Sequence, residues 1–345
     1  MNILILDELS DSVIAQMQNI ASVLALKSSE EKSRSSQEVI KLMVEYKPDI
    51  VIVDATPINA EIMGKAPWLK MVVCTRGNPV NVDSQYCREH GIMLSNTPGR
   101  NANSVAEFVI AMMINMLRNI PGAMERLKSG ELCLPGHYEN FIQKNRDSQD
   151  IIWRHDALAV IPYFEFMGGE IFGKCLGLVG LGIIGNLVAA KAAALGMNVV
   201  AYDPYFRGEL AHNISLVSLE TLAAQSDIIS LHAKDTPETA GMINRSFFAK
   251  VRKGTWLVNT ARGRLVNRND LLCALDAGIL AGAALDVYDY EPLAKDDPLM
   301  RNPGIYCTPH IAGASKDVVM QHSLMAYNSV NAFVSGAPII PFRYV

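Results

Sequence analysis

The stretch Gly173-Lys174-Cys175-Leu176-Gly177-Leu178-Val179-Gly180-Leu181-Gly182-Ile183-Ile184-Gly185-Asn186-Leu187-Val188-Ala189 decides how this chain folds. Residues 176–179 read as a short buried strand, since nothing polar gives them a solvent face. Gly180, Gly182 and Gly185 follow at GxGxxG spacing. The first glycine permits a tight turn, the second lets a pyrophosphate approach the backbone, and the third lets the next helix pack close to the strand. That helix covers about 184–195, stops at Gly196, and turns its free N–H groups towards the phosphates. A second strand at 198–202 delivers Asp203, 18 residues beyond Gly185. A carboxylate there accepts both ribose hydroxyls of NAD and repels the 2′-phosphate of NADP. Arg207, four residues further on, keeps NADP open. Glycines at strand ends also serve packing alone, but the order strand, glycines, helix, strand, acid marks a dinucleotide site.

The whole chain agrees with an enzyme of ordinary composition. Its 345 residues suffice for two domains, each with a sizeable core. Half the residues are hydrophobic and 19% are charged, as in globular proteins generally. A net charge of −4 gives no basic excess, which argues against nucleic acid as a partner. Cys74, Cys87, Cys133, Cys175, Cys273 and Cys307 are scattered, with no CxxC pair and no nearby histidine set. They read as small core residues in a reducing compartment, with no metal site. No basic segment precedes the first strand, so no signal peptide is visible, and no apolar run reaches the roughly 20 residues of a membrane span. A cytoplasmic protein is expected, without a membrane partner.

Strands are expected at 3–6, 49–54, 69–74 and 91–95, with helices from about Asp11 and up to Tyr46. Such alternation builds an open parallel sheet. The polar loop after Cys74, with Arg76, Gly77 and Asn78, lies at a strand's carboxyl end, where ligands of such sheets bind. Asn96-Thr97-Pro98-Gly99 breaks the pattern and sets a domain boundary near 98. Asn103 or Ser104 then caps a long helix, with Glu107 adding capping-box character. Val105, Phe108, Val109, Met112, Met113, Met116 and Leu117 make it apolar on most of its circumference. It must be buried on nearly all sides, between domains or between subunits. From 122 to 169 the pattern weakens; His137 and His155 are ligands in principle, though a surface arm or subunit contact fits better. Beyond Asp203, strands at 227–232, 255–259, 281–285 and 305–307 alternate with helices at 219–224, 269–277 and 315–334.

Arg262, Glu291 and His310 each follow one of these strands or lie in the loop after it. Arginine offers a planar fork that matches a carboxylate and polarises an adjacent carbonyl. Histidine exchanges a proton with a hydroxyl, and a glutamate beside it holds one tautomer. Together they supply what hydride transfer between NADH and a 2-keto acid requires. Singly, each has a plainer reading: Arg262 caps a helix, Glu291 sits in a solvated turn, and His310 is a buried, satisfied side chain.

The chain resembles the D-isomer-specific 2-hydroxyacid dehydrogenase family, in its phosphoglycerate-dehydrogenase-like branch. The matching stretches are Asn96-Thr97-Pro98 with Asn103-Ser104-Val105-Ala106-Glu107, then Gly180-Leu181-Gly182-Ile183-Ile184-Gly185 and Val258-Asn259-Thr260-Ala261-Arg262-Gly263. Ala284-Leu285-Asp286-Val287-Tyr288 with Glu291-Pro292, and Thr308-Pro309-His310-Ile311-Ala312-Gly313, complete the set. The resemblance implies an α/β fold of two Rossmann-like or flavodoxin-like domains with doubly wound parallel sheets. The substrate-binding domain is expected at 1–98 plus 318–345, with the NAD-binding domain at 99–317 inserted into it.

The resemblance also implies that Arg262 binds the substrate carboxylate and keto oxygen, His310 transfers the proton, and Glu291 pairs with His310. It implies NAD contacts from Gly180, Gly182, Ile183, Ile184, Gly185, Asp203, Thr97, Ser104, Ala233, Thr260, Ala261 and Gly313, with Asp286 at the carboxamide. It implies substrate contacts from Arg76, Gly77 and Asn78, and a homodimer with the methionine-rich helix near its interface. The loop after Cys74 is shorter than the family's usual glycine-rich one, and Arg76 there suits a phosphate or a second carboxylate. The segment 122–169 is longer than the usual link, and regulation through a C-terminal domain is not expected. The expected function is NAD-dependent oxidation of a D-2-hydroxy acid, plain or phosphorylated as in 3-phosphoglycerate, or reduction of its 2-keto acid. Formate dehydrogenases are similar but carry glutamine where Glu291 stands. The alternative is an NADH-sensing, corepressor-like binding protein on the same fold.

Overall fold

The computed structural model describes residues 1–26, 34–133, 160–210 and 214–338. His137 and His155 lie outside the described residues. The chain divides into one unit of Met1–Ser104 with Gly313–Val345, and a second of Val105–Ala312 inserted in it. The sequence reading sets these divides at 98/99 and 317/318.

The first unit holds strands β1 (Asn2–Ile5), β2 (Ser22–Ala25), β3 (Ile50–Val53), β4 (Met71–Cys74) and β5 (Met93–Asn96) in one parallel sheet, ordered β2-β1-β3-β4-β5. Side chains alternate across a strand, so one sheet has two apolar faces here. Leu4, Val51, Val53, Val72 and Leu94 share a core with Val39 and Met43 of helix Ser36–Tyr46. Ile3, Ile5, Ile50, Ile52 and Val73 share the other with Val13 and Met17 of helix Asp11–Gln18 and Ala326 and Val330 of helix Lys316–Ser335. Strand β2 is absent from the sequence reading. Its four residues Ser22-Val23-Leu24-Ala25 form an edge strand that stays half-buried or exposed, so its apolar pattern is weak.

The second unit is a seven-stranded parallel sheet ordered β12-β11-β10-β9-β6-β7-β8. Its strands are β6 (Cys175–Val179), β7 (Asn198–Tyr202), β8 (Ile214–Leu216), β9 (Ile228–Leu231), β10 (Thr255–Asn259), β11 (Leu280–Leu285) and β12 (Ile305–Cys307). Strand order reverses between β6 and β9, and such a switch point opens a crevice at the strands' carboxyl ends. Leu176 and Leu178 pack on one face with Val188, Ala189 and Ala192 of helix Ile183–Ala194. Leu257, Ala283 and Leu285 pack on the other with Phe247, Phe248 and Leu271. Each such fully buried large apolar side chain contributes about 1.5–3 kcal/mol. The three-residue edge strand β8 is likewise absent from the sequence reading.

Helix Ala102–Arg118 corrects one expectation. It starts at Ala102, so Asn103 and Ser104 stand inside its first turn and do not cap it. Within a single chain it is not buried all round, and burial of the remaining face between subunits stays an expectation. Val105, Ala106, Val109, Met112, Met113 and Met116 face the core, while Asn103, Glu107, Ala111, Ile114 and Arg118 form an exposed stripe at spacings of four and three. Alanine and isoleucine in that stripe make the circumference look apolar; Glu107 marks the wet side and pairs with Lys191 at 3.2 Å. The next helix, Ile120–Lys128, is also absent from the sequence reading and buries no residue. Among the described residues no helix is long and apolar enough to cross a membrane.

Candidate active site

The glycine turn is built by contact distances. Gly180 has φ 100°, a conformation open to glycine and strained for other residues. A Cβ on Gly185 would lie 2.3 Å from the Gly180 carbonyl oxygen, so helix and turn touch only because that atom is missing. A Cβ on Gly182 would meet nothing within 4 Å, so this residue borders open space. Gly182 is the helix N-cap without a side-chain cap, and the helix ladder starts with Asn186 N–H donating to the Gly182 carbonyl at 3.0 Å. The N–H groups of Ile183 and Ile184 thus precede that first bond and suit an anion. Asp203 follows β7, and its Oδ2 accepts from Leu181 N–H at 2.8 Å while Oδ1 accepts from Tyr205 N–H at 2.9 Å. The carboxylate is thereby fastened beside the turn. Arg207 instead donates to the Phe206 carbonyl at 2.9 Å. Thr260, just past β10, has a buried hydroxyl with no partner among the described residues. An uncapped helix start, a fixed carboxylate and an orphaned hydroxyl at one sheet edge fit a dinucleotide.

The same edge carries the chemical groups. His310 Nδ1 and Glu291 Oε2 are 2.7 Å apart, and Glu291 Oε1 accepts from Tyr288 N–H at 3.0 Å. Burial alone would raise the Glu291 carboxyl, but hydrogen bonds from His310 and Tyr288, with the Arg262 charge, hold it below the usual carboxylate range. An ionised carboxylate only accepts, so Nδ1 carries the hydrogen and Nε2 is left to exchange a proton. The histidine side chain is 50% exposed, so this is no buried, satisfied residue.

His310 itself has φ 56°, unusual for a residue with a side chain. Asp286, 1% exposed, holds the loop in that shape. Its carboxylate accepts from Thr308 Oγ1 at 2.6 Å, Ile311 N–H at 2.8 Å and Ala312 N–H at 2.7 Å. Asn259 does the same for Arg262: its Oδ1 accepts from Ala261 N–H at 3.0 Å and its Nδ2 donates to the Arg262 carbonyl at 2.9 Å. The Arg262 side chain is exposed, with Nη1 donating to the Ala261 carbonyl at 2.6 Å.

Arg262, Glu291 and His310 therefore all belong to the second unit, as do the glycine turn, Asp203, Ala233, Thr260, Ala261 and Asp286. Arg76, Gly77, Asn78, Thr97, Ser104 and Gly313 belong to the first unit. There Thr97 N–H donates to the Arg76 carbonyl at 3.0 Å, Asn96 Nδ2 donates to the Gly77 carbonyl at 2.7 Å, and the Thr97 hydroxyl is fully buried without a partner among the described residues. Arg76 is half-buried.

Residues 110–312 match the family described as D-isomer specific 2-hydroxyacid dehydrogenase, NAD binding domain. The chain belongs to this family. That match lies wholly within the second unit, so the family's NAD-binding domain is the seven-stranded sheet with its glycine turn. The D-3-phosphoglycerate dehydrogenase of Archaeoglobus fulgidus is 32% identical over 98% of this chain and 58% of its own length. The hydroxypyruvate reductase of Blautia hydrogenotrophica is 32% identical over 84% of each chain. Among solved structures, the TT0316 protein of Thermus thermophilus superposes with a TM-score of 0.76 at 29% identity, covering 100% of both chains. The chain spans 58% and 50% of the length of the phosphoglycerate dehydrogenases from Archaeoglobus fulgidus and Bacillus subtilis.

Within this family member, sequence reasoning passes over the roles of Asn259, Tyr288 and Thr308. Their one signal is a polar residue closing or following an apolar strand, as Asn259 closes Thr255–Asn259.

Proposed function

We propose that the protein is an NAD-dependent oxidoreductase that interconverts a D-2-hydroxy acid and its 2-keto acid. The observation that carries this reading is the 2.7 Å Glu291–His310 pair, with the His310 Nε2 free, beside the Arg262 charge in the NAD-binding unit. Arg262 grips the substrate carboxylate through two N–H groups and polarises the C2 carbonyl. In reduction His310 donates the Nε2 proton to the keto oxygen, and in oxidation it takes the hydroxyl proton. Glu291 holds the ring's orientation and stabilises the imidazolium. NAD, when bound, supplies or accepts the hydride at C2. Ile183 and Ile184 N–H groups, with Gly180, Gly182 and Gly185, would hold its pyrophosphate, and Asp203 its ribose, which favours NAD over NADP. Ala233, Thr260, Ala261 and Asp286, with Thr97, Ser104 and Gly313, would complete the contacts. Asp286 would act by holding the His310 loop, since its oxygens already accept three hydrogen bonds.

For the substrate's far end, Arg76, Gly77 and Asn78 are the proposed contacts. The Arg76 guanidinium has no hydrogen-bond or ion-pair partner among the described residues, which supports a substrate with a phosphate or second carboxylate. A homodimer is supported by Ile120, Met124 and Leu127, three exposed side chains at i, i+4 and i+7 on one helix face. Six free cysteines support a reducing compartment.

The test is NADH oxidation with plain and phosphorylated 2-keto acids, run in parallel with NADPH. Turnover of one acid, faster with NADH, supports the reading. NADH binding without turnover of any acid would overturn it.

A further inference from the structure

The loop that carries Glu291 is long, wet and closed at both ends by one guanidinium. Residues 286–297 connect β11 to helix Pro298–Arg301 without regular structure, and within 289–296 all but Leu293 are exposed, Tyr290 by 79%. Little apolar burial is available to fix such a segment. Arg268, the first residue of helix Arg268–Asp276, donates from Nη1 to Asp289 Oδ1 at 3.1 Å and from Nη2 to Asp297 Oδ1. Asp297 is 7% exposed and also accepts from Leu299 N–H at 2.9 Å, capping the next helix. Arg268 thus ties together residues 289 and 297, the two ends of the loop, and Glu291 lies two residues from the first tie.

Packing does not do the same on the inner side. A cavity of about 20 Å³, room for one water, lies beneath the loop's start and is lined by Asn259, Gly263, Arg268, Leu285, Tyr288 and Asp289. Apart from Tyr288, whose hydroxyl oxygen lies 2.9 Å from both the Leu285 and the Thr308 carbonyl oxygens and donates its one hydrogen between them, a near contact is Gly263. A Cβ on Gly263 would come within 2.3 Å of Asp289 N, so the Arg262 turn rests directly on the loop's backbone.

The geometry points to Arg268 and Asp289 as positioning residues: their ion pair holds the Glu291 loop where Glu291 meets His310. A planar guanidinium spans two carboxylates at fixed angles, which a lysine cannot do. Closing a loop of this length at both ends removes conformers that would swing Glu291 away from the imidazole. The inference rests on the proposed acid/base role of the pair.

The experiment uses Asp289→Asn, Asp289→Glu and Arg268→Lys in the full chain, with the 2-keto acid that the wild type reduces best. Asp289→Asn leaves the buried Arg268–Asp297 pair intact and so keeps the fold, checked by NADH binding and melting temperature. Its kcat falls roughly tenfold, as small misplacements at a catalytic centre do. KM stays within about twofold, because substrate binding is not what is lost. Asp289→Glu restores most of kcat, and Arg268→Lys falls between. A second readout needs no substrate: the downfield Nδ1–H proton signal of His310 in ¹⁵N-histidine-labelled protein, assigned with His310→Ala. It is present in the wild type and lost to exchange in Asp289→Asn. Unchanged kcat, or reduced kcat with the signal intact, would overturn the inference. If the wild type reduces no acid, the functional reading fails while the proton signal still decides the positioning role.

Discussion

The glycine turn after β6 and the loops after β10, β11 and β12 do opposite things with side chains. At the turn the proposed working parts are backbone N–H groups, and the sequence contributes by leaving side chains out at Gly180, Gly182 and Gly185. In the loops the proposed working parts are the side chains of Arg262, Glu291 and His310. Each loop is held by a polar residue outside it: Asn259, three residues away, for the Arg262 turn, and the more distant Asp286 and Arg268 for the His310 and Glu291 loops. The first device is local and has no room for an added atom at Gly180 or Gly185. The second is distributed and fails in steps.

That difference can be broken most severely at Gly185. The Gly185→Ala variant must push helix Ile183–Ala194 off the turn, since its Cβ would sit 2.3 Å from a carbonyl oxygen. A stability loss of about 1–3 kcal/mol is expected, by analogy with overpacked cores. NADH affinity should fall at least tenfold, measured by fluorescence titration, because the N–H groups no longer converge. A wild-type dissociation constant would mean the turn is not the binding device.

The Asp286→Ala variant probes the distributed arrangement. It strands two backbone N–H groups and a hydroxyl in the interior, each worth about 1–3 kcal/mol when unpaired. Water entering the vacated space offsets part of this, so urea melts should show a loss of about 2–4 kcal/mol. NADH affinity should change less than kcat. If binding and kcat fell together, Asp286 would serve the cofactor more than the His310 loop.

The smallest expected effect is in the pH dependence of stability. The folded Glu291 carboxyl is held below its ordinary range, despite the opposing effect of burial, mainly by His310. A lowered carboxyl contributes stability that is complete above the unfolded value near 4.3 and disappears as pH falls through the folded value. The stability difference between wild type and Glu291→Gln should therefore be constant above about pH 5 and shrink below about pH 4. With side chains 36% and 50% exposed, solvent screening keeps it under about 1 kcal/mol. A difference growing towards acid would contradict an ionised Glu291.

Legibility in sequence follows the same division. The glycine turn, Asp203 and the central strands are readable because steric demands and apolar runs are local. Edge strands Ser22–Ala25 and Ile214–Leu216 are not, because one side of an edge strand faces solvent and its pattern fades. The wet stripe on helix Ala102–Arg118 is hidden because Ala111 and Ile114 are apolar yet exposed. Arg262, Glu291 and His310 stand out as residue types suited to the chemistry. Nothing in the sequence shows that Arg268 bridges Asp289 and Asp297, 21 and 29 positions away, since that depends on where three loops end.

The most direct measurement is single-turnover NADH oxidation by wild type and His310→Ala, with NADH affinity determined on the same preparations. The expected result is a rate lower by about 10²–10⁴ in the variant, the range for removal of a general acid, with NADH affinity unchanged. A His310→Ala protein that turns over at the wild-type rate would contradict the assignment of the Glu291–His310 pair as the proton-transfer centre.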